Sequence, residues 1–273
     1  EYADENREEF LAVLKKLVAQ PSVSASGLGV EDCAELLLEL MGKVGIPARL
    51  LPTPGQPAIF AELKRKGGDA ATVLFYGHYD VQPPEPIAEW HSPPFTPTVR
   101  DGRIYGRGTG DNKGQFLAHI LAVQAYLETM GDIPVNIKFL LEGEEESGSP
   151  HMAELVRENK ELLACDLAYT SDGPLHESGA PIIYFGARGI LCLEFEFETA
   201  EHDNHSGNMG GVIPSAALKT VGLLGEMVDK NGRVQIPGFY DKVREPEAFE
   251  LDMLAKLPYK PKKLASPFGV KEL

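Results

Sequence analysis

Short apolar runs in this chain keep ending in a turn that carries a histidine or a carboxylate. That pattern limits the possible folds more than any other feature. Residues 72–76 lead into Gly77-His78-Tyr79-Asp80, and Ile104-Tyr105 leads through glycines to Gly110-Asp111-Asn112-Lys113-Gly114. Residues 135–141 deliver Glu142-Gly143-Glu144-Glu145-Glu146-Ser147-Gly148, and residues 167–170 end at Ser171-Asp172-Gly173. Amphipathic helices are expected between the runs, over residues 8–18, 31–44, 113–129 and 152–160. In the first, Phe10, Leu11, Leu14, Leu17 and Val18 share a face; in the third, Phe116, Ile120, Val123 and Leu127 do. A further strand is expected at residues 58–64. Strands alternating with helices specify an α/β domain, in which ligands gather at the carboxyl ends of the strands.

The pattern changes near Gly186. Leu191, Leu193, Phe195 and Phe197 alternate with Cys192, Glu194, Glu196 and Glu198, which reads as a strand with one wet face. Pro214 can open a helix bearing Leu218, Val221, Leu224 and Val228. A boundary near residue 187 follows, giving domains at 1–186 and 187–273. Beyond residue 237 the chain is less regular, with Pro258, Pro261 and Pro267 as breakers.

Composition removes several classes of partner. Basic side chains number 26 and acidic ones 41, a net charge of −15 that would repel phosphates. Nucleic acid and anionic membranes are therefore disfavoured. No apolar run approaches the ~18 residues of a membrane span. The acidic start does not read as a signal peptide. Cys33, Cys165 and Cys192 form no C-x-x-C pair, so buried free thiols in a reducing, cytoplasmic compartment are expected.

The chemistry lies in the turns. One imidazole and several carboxylates suit divalent Zn or Mn, and a shared carboxylate can hold two such ions. His78 is followed by Asp80, which can take the second ring N–H and fix the tautomer. Asp111 is either a carboxylate bridging two cations or a cap on the following helix. Glu145 and Glu146 are neighbours that point apart, so one can hold a cation while the other takes a proton from the attacking water. A solvated acidic run is the bland reading of the same residues. Asp172 sits in what is also an ordinary turn. His202 and His205 fit a third metal site, a surface loop or a polar substrate contact. His91, His119, His151 and His176 read as structural or surface residues.

These segments together resemble the co-catalytic metallopeptidase superfamily of carnosinases, cytosolic non-specific dipeptidases, aminoacylases, acetylornithine deacetylases and carboxypeptidase G. The resemblance runs from about residue 8 to about residue 240. Gly186-Ala187-Arg188-Gly189, His205-Ser206-Gly207 and Val228-Asp229-Lys230 look closest to the dipeptidase and carnosinase branch. The resemblance implies a zinc-peptidase-like three-layer α/β/α catalytic domain with a partial α+β lid that serves dimerisation. It implies two divalent cations: His78, Asp111 and Asp172 on one, Glu146 and the bridging Asp111 on the other. Glu145 would be the general base, Asp80 would orient His78, and the Asp111–Asn112 peptide would be cis. His205 would polarise the scissile carbonyl, commonly from the opposite subunit of a homodimer. The implied reaction is hydrolysis of dipeptides or short peptides. An N-acyl amino-acid deacylase with the same site, or an inactive metal-binding fragment, are the alternatives. Members of that branch are longer and take a last metal-binding histidine from a C-terminal portion. On that pattern the chain stops inside the lid, one ligand short at the second cation.

Overall fold

The computed structural model describes residues 1–175, 182–184, 186–258, 265, 269 and 270. His176, Pro261 and Pro267, read above, lie outside the described residues. The chain divides into two compact units, Glu1–Ile183 and Tyr184–Leu273.

The first unit opens with α1 (Tyr2–Glu5), α2 (Arg7–Ala19) and α3 (Val30–Val44), followed by β1 (Ala48–Leu51), β2 (Ala58–Leu63) and β3 (Thr72–His78). A hairpin, β4 (Thr98–Arg100) and β5 (Arg103–Tyr105), precedes α4 (Lys113–Met130). Then come β6 (Asn136–Glu142), α5 (Met152–Glu158), α6 (Lys160–Leu163) and β7 (Leu167–Thr170). The main sheet runs β1-β2-β6-β3-β7. β6, β3 and β7 are mutually parallel, while β1 and β2 run antiparallel at the other edge. The carboxyl ends of the three parallel strands therefore lie side by side.

Helices cover both faces. Leu17, Leu37, Met41, Phe116 and Ile120 pack with Ile137, Phe139 and Leu141 of β6 on one face. Leu155 and Leu163 pack with Phe60, Leu74 and Leu140 on the other. The odd–even split within β6 is the two-residue period of a strand. In α3, Val30, Cys33, Ala34, Leu37, Leu40 and Met41 form the buried stripe. Glu31 and Asp32 sit in its first turn, where the helix dipole favours negative charge. Gly45, at φ 86°, ends it in the left-handed conformation that glycine adopts without a side-chain clash. Lys113 is fully buried at the start of α4. Its ammonium donates to the Leu17 carbonyl at 3.2 Å and the Gln20 carbonyl at 2.6 Å, closing the end of α2. Burial pushes its pKa down from the ordinary lysine value.

The expected strands at residues 58–64, 72–76, 135–141 and 167–170 all form. One placement needs correction. Asp111 does not follow a strand of the main sheet; it precedes α4, and the nearest strand, β5, belongs to the separate hairpin.

Gly77 permits a close approach that the site depends on. A methyl there would come within 2.7 Å of Asn112 Oδ1 and 3.0 Å of Phe116 Cβ. Gly77→Ala should cost about 1–3 kcal/mol of stability, the usual range for overpacking. Urea unfolding checks this; an unchanged midpoint would show that α4 can move away freely.

In the second unit α7 (Ser206–Met209), α8 (Ala216–Met227) and α9 (Ala248–Ala255) are helical. The helix expected at Pro214 forms, but Pro214 lies just outside it: Ser215 is the N-cap, its hydroxyl accepting the Leu218 N–H, and α8 starts at Ala216. The expected strand over residues 191–198 is not formed. Leu191, Leu193 and Phe195 are exposed. A strand takes its hydrogen bonds from a neighbour, and among the described residues none pairs with this segment. The expectation of buried thiols also needs correcting: Cys33 is buried, but Cys165 and Cys192 are exposed, and all three are free. Among the described residues no helix is long and apolar enough to cross a membrane.

Candidate active site

The site forms where β3, β6 and β7 end and α4 begins. His78 is the last residue of β3 and is fully buried, as is Asp80. The His78 Nδ1 lies 3.0 Å from the Asp80 carbonyl oxygen and 3.3 Å from its carboxylate. Both partners accept, so Nδ1 carries the proton and Nε2 is left to face the cleft. Three carboxylates approach Nε2: Asp111 at 2.9 Å, Asp172 at 3.4 Å and Glu145 at 3.8 Å. Ligand atoms of His78, Asp111 and Glu146 all lie within 4.8 Å of one another.

Asp80 has a second task. Its two carboxylate oxygens accept the backbone N–H groups of Glu145, at 3.2 Å, and Glu146, at 3.0 Å. One buried carboxylate thus positions the imidazole and the turn bearing both glutamates. That turn is a single 3₁₀ turn, Glu145–Ser147. Glu146 is also held by Gln82, whose Nε2 donates to its carboxylate at 2.8 Å. The Asp111–Asn112 peptide is cis. A cleft of about 450 Å³ opens here, lined by Gln82, Arg107, Asp111, Glu146 and Asp172 among others.

The electrostatics match a site short of positive charge. Burial opposes a charged His78 ring, but Asp80, then Glu145 and Asp111, outweigh it and raise the imidazole to about 9. Burial pushes the Glu145 carboxyl above its ordinary value; Glu146, Asp172 and Asp80 push the same way, and His78 opposes them. One imidazole and several oxygen donors crowded onto one point is a donor set that fits Zn or Mn.

His205 belongs to the second unit. Its Nδ1 accepts the Gly207 N–H at 3.0 Å, which leaves Nε2 as the protonated, donating nitrogen. His202 lines a separate cleft in that unit. His119 stacks on Phe75 with ring centroids 4.6 Å apart, and its Nε2 lies 2.9 Å from Ser171 Oγ. His151 pairs with Glu144 at 2.7 Å. Reading the sequence residue by residue missed Gln82, Asn112 and Gln115. All three lie within a few residues of a ligand candidate, but an amide carries no metal-binding signal of its own.

This fold, with a donor set for divalent cations at its strand ends, can be set beside known proteins. The family model for "Peptidase family M20/M25/M40" matches residues 74–250, and the chain belongs to that family. It is 37% identical over 265 residues to the human Beta-Ala-His dipeptidase, covering 89% of this chain and 51% of that protein. It is 32% identical over 260 residues to a Cys-Gly metallodipeptidase of Schizosaccharomyces pombe, covering 90% and 55%. Among solved structures, an M20 family metallo-carboxypeptidase from Sulfolobus solfataricus superposes with a TM-score of 0.83 at 32% identity, covering 97% of this chain and 60% of that one. The chain spans about half the length of the curated relatives it matches.

Proposed function

We propose that the protein hydrolyses the peptide bond of dipeptides or short peptides. His78, Asp111 and Asp172 would hold one divalent cation, and Asp111 with Glu146 a second, Zn or Mn. The observation that carries this reading is the convergence of Asp111, Asp172 and Glu145 on the cleft-facing nitrogen of one buried imidazole. Bound there, the cations would make an attacking water more acidic and polarise the scissile carbonyl. Glu145 takes the proton from that water and passes it to the leaving amine. Asp80 keeps the ring and the glutamate turn in register. The named activities of the human and fission-yeast relatives, on Beta-Ala-His and Cys-Gly, support a dipeptide as substrate.

His205 enters the same reading as the donor that polarises the carbonyl, contributed by the second subunit of a homodimer. Its Nε2–H is free to donate, and the exposed Leu218, Val221 and Leu224 of α8 favour burial against another copy. The free cysteines fit a cytoplasmic location. A panel of dipeptides and N-acetyl or N-succinyl amino acids, assayed with Mn or Zn, tests the substrate class. Turnover of dipeptides is expected; turnover of the N-acyl compounds alone would replace the peptidase reading with a deacylase.

A pH prediction follows from His78. Its folded value, about 9, stands above the ~6.5 of an unfolded histidine. In the metal-free chain its charge therefore stabilises the fold fully below pH ~6.5, and that contribution is lost as pH rises through the folded value. A cation must displace the proton, so cation affinity should climb with pH up to the same point. Calorimetry near neutral pH in buffers of different ionisation enthalpy should show about one proton released per His78-bound cation. No release would mean that the imidazole is already neutral.

A further inference from the structure

We propose that Asn112 and Gln115 are positioning residues, joined in a directed chain of side-chain amides that locks three of the four ligand-bearing segments into one frame. The His78 backbone N–H donates to Asn112 Oδ1 at 3.2 Å. Asn112 Nδ2 donates to Gln115 Oε1 at 2.7 Å. Gln115 Nε2 donates to the Gly173 carbonyl at 2.8 Å. The chain starts at a group that can only donate and ends at one that can only accept, so both amide orientations are determined. Asn112 is almost fully buried, and water does not compete for its bonds.

The frame spans the end of β3, the Asp111 turn and the Asp172 turn. A second strut runs beside it. His119, four residues after Gln115 and so on the same face of α4, meets Ser171 Oγ at 2.9 Å. Asp172 is thereby bracketed: both its chain neighbours are tied to α4, the helix that begins just after Asp111. Asp172 is thus tied to the helix that Asp111 precedes, independently of any cation. The fourth segment, with Glu145 and Glu146, is held by Asp80 and Gln82 instead. The consequence for cation binding rests on the two-cation reading above; the frame itself does not.

Direction makes the proposal testable. Asn112→Asp keeps an acceptor for the His78 N–H but removes the donor. Gln115 must then turn its amide to donate to the new carboxylate, which sets its oxygen against the Gly173 carbonyl. Coulomb's law alone gives the opposite sign, because an added negative charge near a cation site should tighten binding. Gln115→Leu, at a half-buried position, cuts the same link and covers the case in which the first variant fails to fold.

Two readouts apply to the intact protein. Titration with Co(II), followed by visible absorbance, should show affinity falling about 10- to 100-fold in both variants, the usual effect of losing an outer partner of a ligand. Hydrogen exchange over residues 170–175 of the metal-free protein should speed up in both, with α3 and β6 unchanged. Tighter Co(II) binding by Asn112→Asp, or unchanged exchange at the Asp172 turn in Gln115→Leu, would overturn the proposal. If the wild type binds no Co(II), the cation reading falls, and the exchange result alone decides whether the frame exists.

Discussion

Glu145→Gln should lower peptide hydrolysis by about 10²- to 10⁴-fold, the span that a positioned general base contributes, while the bound cation content stays the same. Glu145 lies 3.8 Å from His78 Nε2, at the edge of the proposed cation position, yet it is Glu146 that groups with His78 and Asp111. The two share one short turn whose backbone is pinned by Asp80, so they do not move independently. The amide keeps the size of the carboxylate and loses only the ability to take a proton. Glu146→Gln should do the reverse and release a cation. Steady-state rates beside elemental analysis separate the two. Near-normal turnover in Glu145→Gln, or cation loss with it, would take the general-base role away from this residue.

The second large effect belongs to Asp80. Asp80→Ala should destabilise the metal-free protein by about 3–5 kcal/mol, as expected when one partner of a buried ionic pair is removed. Cation affinity should fall about 10- to 100-fold. Asp80 is fully buried and serves His78 Nδ1 together with the N–H groups of Glu145 and Glu146. Alanine would leave those two amides without an acceptor, at about 1–3 kcal/mol for each one that stays dry. Denaturant unfolding and cation titration measure the two parts. A stability change below ~0.5 kcal/mol, typical of a surface substitution, would mean that water or another acceptor replaces the carboxylate.

Much of the fold is legible from periodicity, and the exceptions have physical causes. The strands at residues 58–63 and 136–142 are readable because burial on both faces favours apolar side chains at most positions, with Glu62 and Lys138 as interior exceptions. β1, Ala48–Leu51, shows no alternation and has one antiparallel neighbour, so its pairing is tertiary information. α9 is introduced by a capping box between Glu247 and Glu250, a signal easily lost among acidic residues. Residues 191–198 show the converse case: alternation names the face a strand would bury, but cannot supply the strand beside it. At the site, His78, Asp111, Glu146 and Asp172 stand out by residue type. The amides of Gln82, Asn112 and Gln115 emerge only from three-dimensional neighbours, because any of them reads equally well as a surface residue.

Anomalous scattering from crystals grown with Mn or Zn tests the central claim most directly. Two peaks are expected in the cleft, about 3.5–4 Å apart as in two-metal hydrolases, one beside His78 Nε2, Asp111 and Asp172, the other beside Asp111 and Glu146. Peaks confined to other surface carboxylates, with His78 Nε2 still paired to Asp111, would contradict it.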